Sequence, residues 1–176
     1  MNMSPISTNA WCKWDISACL AVASCISADR FVTLAVDGLE LCCSAVETAP
    51  HEVRAVAKVG RSDWSRGHDA FAAVRMLTLA AEKLPPAHRA DHLLLFVAEN
   101  AARMIYNASG TKRPFDEDSG GWLIRTFGEF TASLPQSRRT DIAEKLGALI
   151  QQAIDASSLL DGAQMANTAK PGRLVS

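Results

Sequence analysis

The sequence predicts an all-α protein, and three observations carry that prediction. Apolar residues recur at spacings of three and four along most of the chain, and no stretch alternates with a period of two. Alanine is abundant, while β-branched and aromatic residues never gather into strand-like runs. The 7 prolines, Pro5, Pro50, Pro85, Pro86, Pro114, Pro135 and Pro171, all fall outside the apolar-periodic segments, where a residue without an N–H costs least. Helix lengths are uneven and no motif returns at a fixed period, which argues against a repeat array. The expected architecture is a single-domain irregular helical bundle or short helical superhelix of about six or seven helices. It occupies residues 9–160, between a flexible N-terminal tail at 1–8 and a disordered C-terminal tail at 161–176.

The first helix is expected from Asn9 to Ser27, capped by Thr8 or Asn9, with Trp11, Trp14, Ala18, Val22 and Cys25 on one stripe. Asp29 caps a second helix reaching about Thr48. There Phe31, Ala35, Leu39, Cys42 and Val46 face inward, and Gly38 on the same side predicts close approach of another helix. A short third helix runs from Pro50 to near Gly60 with Val53 and either Val56 or Ala57 inward. The fourth, about His68–Leu84, carries Ala70, Val74, Leu77, Ala81 and Leu84 on one face. Pro85-Pro86 then turns the chain into the longest uninterrupted helical pattern, which ends before Gly110. These two form a central helical hairpin over 68–109. A sixth helix, about Ser119–Leu134, turns Leu123, Phe127, Phe130 and Leu134 inward, and Pro135 ends it. The seventh, about Thr140–Leu160, uses Ile142, Leu146, Leu149, Ala153 and Leu160.

The composition excludes some functions. With 18 basic residues against 19 acidic ones the formal net charge is −1, so nothing electrostatic points to nucleic acid as the partner. No stretch has the length to span a bilayer. The 5 cysteines, an odd number, all lie between Cys12 and Cys43 and form no C-x-x-C pair. Small apolar side chains in a reducing compartment are expected, and the location is read as cytoplasmic. Val22-Ala23-Ser24-Cys25 has the outline of a lipoprotein cleavage box, making an exported lipoprotein anchored through Cys25 the minor alternative. The first twelve residues carry no Lys or Arg, however, whereas a secretory segment opens with positive charge.

Candidate chemistry centres on the long helix. His88 and His92 stand four apart, on one side of a helix, a spacing at which two imidazoles can grip a divalent transition metal. Glu99 lies seven residues beyond His92, about 10 Å along the axis, out of reach of the same ion. The opposing reading is that Leu93, Leu94, Val97, Ala101, Met104 and Ile105 face the core and the histidines face solvent. Leu95, Ala102 and Tyr106 share the histidines' side, so burial of both faces stays open. In the loop Gly60–Gly67, Arg61 and Arg66 surround Trp64, and Asp63 dilutes the charge. The stretch Asp116–Gly121 lacks the terminal carboxylate of a calcium loop and reads as acidic capping of the sixth helix. No phosphate-cradling glycine motif or nucleophile elbow is present.

Three functions are weighed. The first is a non-enzymatic interaction or regulatory protein, adaptor- or immunity-like, that binds a protein partner through Trp64, Trp122, Arg61 and Arg66 without a cofactor. Its Ala-rich, charge-dotted texture is similar to that of some helical immunity proteins. The second is a metal-dependent or hydrolytic enzyme centred on His88 and His92. The third is a helical pocket for a small apolar ligand lined by Met76, Phe96 and Phe127. Homo-oligomerisation is compatible with each.

Overall fold

The computed structural model describes residues 10–59, 67–85, 88–108 and 117–168. Trp64, Arg61 and Arg66 lie outside them, as do the segments 1–9, 109–116 and 169–176. Seven α-helices account for nearly all described residues, and no strand occurs among them: α1 (Ile16–Ala23), α2 (Ala28–Ser44), α3 (His51–Val59), α4 (Gly67–Lys83), α5 (Arg89–Ala108), α6 (Glu117–Ser133) and α7 (Gln136–Thr168). The all-α bundle expected from periodicity is what the chain forms.

The expected single helix over Asn9–Ser27 is instead two pieces. Trp11–Lys13 make a 3-10 turn, Trp14 is extended, and α1 starts after Asp15. The Asp15 carboxylate accepts the Ala18 N–H at 2.8 Å, a capping bond available only outside helical geometry. The break also lets Trp11 and Trp14 point where a straight helix could not aim them. Trp11 is buried and its indole Nε1 donates to the Ala143 carbonyl at 3.0 Å. The Trp14 carbonyl accepts from Arg125 Nη1 at 2.9 Å. The apolar run read as a possible export segment is thus a core element, with Cys19, Val22 and Ala23 buried.

Helix α2 begins two residues earlier than Asp29 would place it. Ser27 is the cap position, its side chain makes no capping bond, and its N–H donates to Ser157 Oγ at 2.9 Å. The helix stops at Ser44 rather than Thr48, and Arg138 Nη1 donates to the Ala45 carbonyl at 2.9 Å. A C-terminal carbonyl that would otherwise lack a partner is met from α7. Phe31, Ala35, Leu39 and Cys42 are buried as expected, but so are Leu34 and Val36. The wider face arises because α2 packs on α3, α5, α6 and α7.

α4 and α5 form the antiparallel hairpin that the two prolines predict. α5 also packs on α2, α3 and α6, which buries Leu95 and Ala102 as well as Leu94, Val97, Ala101, Met104 and Ile105. It shares the centre with α6, which meets α1, α2, α5, α7 and the 3-10 turn. The glycines expected to open α6 lie inside it and are buried. A Cβ on Gly128 would come within 3.1 Å of the Cys12 carbonyl oxygen, and one on Gly121 within 3.2 Å of the Leu20 Cα. These residues, two turns apart on one face, let the N-terminal segment lie against α6 backbone to backbone.

Two boundaries near the C-terminus also differ. Pro135 does not open a linker; Arg138 and Arg139 N–H groups donate to its carbonyl at 2.9 and 3.0 Å, and α7 starts at once. A fixed proline φ suits a first helical turn. α7 continues to Thr168, past the point where a disordered tail is expected. Once nucleated, a helix propagates through Ala-, Gln- and Met-containing sequence at little cost per residue, without needing an apolar stripe.

Candidate functional site

The histidines lie where the chain turns into α5, and the turn explains their bonds. His88 Nδ1 donates to the Asp91 carboxylate at 3.2 Å, an i,i+3 contact in the first turn. His92 Nε2 donates backward to the Pro85 carbonyl at 3.3 Å. The His88 side chain is 56% exposed. The two rings are therefore anchored on different groups, one along the helix and one across the turn. Among the described residues no three His, Cys, Asp or Glu side chains gather as a metal would require. Glu99 is committed elsewhere: its Oε1 accepts from Arg103 Nη2 at 2.6 Å and Nε at 3.2 Å. Its side chain is only 15% exposed, because Leu95 and Ala102 on the same side are buried. The carboxylate that is out of reach of His92 is thus satisfied by its own helix.

Four of the thiols, Cys12, Cys19, Cys42 and Cys43, are held toward the protonated form. Burial pushes Cys12, Cys19 and Cys43 up to about 11, and raises the fully enclosed Cys42 well above the ordinary value. A reactive cysteine needs the opposite shift, toward thiolate at neutral pH. Cys25 is exposed, and its Sγ donates to the Ala21 carbonyl at 3.4 Å.

The residues expected to line an apolar pocket are dispersed. Phe127 is in the core, whereas Met76 on α4 and Phe96 on α5 are exposed. A groove between α2 and α7, floored by Leu34 and Leu149 and edged by Arg30, Thr33, Asp37 and Gln152, encloses about 70 Å³. Small-molecule sites are typically several times larger, about 300 Å³ and upward.

The tryptophans separate sharply. Trp11 is 1% exposed and Trp14 is half-buried against the core, but Trp122 on α6 is 52% exposed. Comparisons with protein-family models, with curated sequences and with solved structures find no match. The geometry of Trp122 therefore carries the functional argument. Its neighbours in sequence, Gly121 and Leu123, are both buried, so the indole stands on a backbone whose other faces are clamped. Three residues on, Arg125 is held by Glu129 Oε1 at 2.7 Å and by the Trp14 carbonyl.

Trp122 is among the partner contacts expected from the sequence. The exposed Leu79 is missing from that expectation, although a wheel of α4 sets this residue opposite the buried Leu77. Also missing are the bonds by which Arg125 and Arg138 tie separate elements together. No local pattern marks those, because their acceptors lie 111 and 93 residues away.

Proposed function

We propose that this chain is a non-enzymatic helical interaction protein and that its partner surface, for another protein, includes Trp122. The supporting observation is the half-exposed indole on a helix held rigidly from its other sides. Tryptophan is among the residues that most often dominate binding energy at protein interfaces. An indole on a fixed backbone has only two side-chain torsions left to lose on binding, which lowers the entropic cost of association. The structural engagement of His88, His92 and Glu99, and the raised thiols, fit the same reading.

The test is photocrosslinking in cells with p-benzoylphenylalanine in place of Trp122, against the same group at exposed Glu144 on α7. A discrete protein adduct at 122 and not at 144, with co-purification of that protein lost in Trp122→Ala, is the expected result. Identical adducts at both positions, or co-purification unchanged by Trp122→Ala, would overturn the reading. Native-like circular dichroism and a cooperative urea transition of Trp122→Ala are the control that loss of binding does not reflect unfolding.

A further inference from the structure

We draw no further inference here: the strongest candidate, the exposed apolar side chains Met76, Leu79 and Phe96 on the α4–α5 hairpin, carries nothing because nothing in the structure shows what covers them.

Discussion

Gly38 on α2 and Phe127 on α6 meet so closely that the glycine hydrogen is the contact surface. A Cβ at position 38 would lie 3.0 Å from both Cε atoms of the Phe127 ring and closer still to Cζ. Both residues are buried, and the ring fills the space a side chain would take. The glycine costs α2 about 1 kcal/mol in helix propensity relative to alanine, and close packing of the ring offsets it.

Gly38→Ala should therefore destabilise the protein by about 1–3 kcal/mol, as overpacking of a filled core does, despite the propensity gain. In urea titrations the midpoint should fall. Phe127→Leu in the Gly38→Ala background should cost less than Phe127→Leu alone, because the alanine methyl uses the space vacated by the ring. A Gly38→Ala midpoint at or above wild type would mean that the two helices are farther apart than described.

Trp11 joins the N-terminal segment to α7 through the Ala143 carbonyl. Trp11→Phe should cost about 1–3 kcal/mol, from the lost buried bond and part of the ring volume, and Trp11→Ala about 3–5 kcal/mol. The ordering can be read from thermal or urea unfolding. If both variants unfold like wild type, the 3-10 turn is not seated in the core.

Arg125 bridges Trp14 and Glu129. The ion pair is exposed at both ends and should contribute less than about 1 kcal/mol, whereas the bond to the Trp14 carbonyl holds the chain break in place. Arg125→Met should thus destabilise more than Glu129→Gln. Equal losses would assign the whole effect to the ion pair.

Burial of thiols, complete at Cys19 and partial at Cys12 and Cys43, makes stability fall in alkali. Cys12, Cys19 and Cys43 rise from 9.0 to about 11 because burial disfavours the thiolate. The folded chain then binds these protons more tightly than the unfolded chain. Their contribution is whole below about pH 9 and is lost as pH rises toward 11. The drop in urea midpoint between about pH 8 and about pH 10.5 should be smaller in Cys12→Ala than in wild type. With a thiol reagent at neutral pH, Cys25 should be modified in the native protein and Cys42 only on unfolding. Prompt native modification of Cys42 would contradict its enclosure.

The residues that were legible from sequence share one property: their signals are local. Phe31, Ala35, Leu39 and Cys42 recur at helical spacing and are buried together. Gly38 among them announced a close approach, though not the identity of its neighbour. The break in the first helix is hidden because the apolar stripe through Trp11, Trp14 and Ala18 runs across it, and its one local mark is the capping carboxylate of Asp15. That aspartate decides the break only because Trp11 and Trp14 have partners on α7 and α6. His88 and His92 were legible as neighbours, but not their separate anchors, since the Pro85 bond depends on how the hairpin turns.

The sequence by itself determined an all-α chain, its central hairpin and the inward face of most helices. Periodicity, proline placement and glycine placement act over a turn or two, so they can be read one segment at a time. Tertiary structure alone decided that Trp11 is sealed in the core while Trp14 stays half-buried. Both lie on one apolar stripe of the expected first helix, and nothing local separates them. Burial depends on what packs against a face, and that is settled only when distant helices meet.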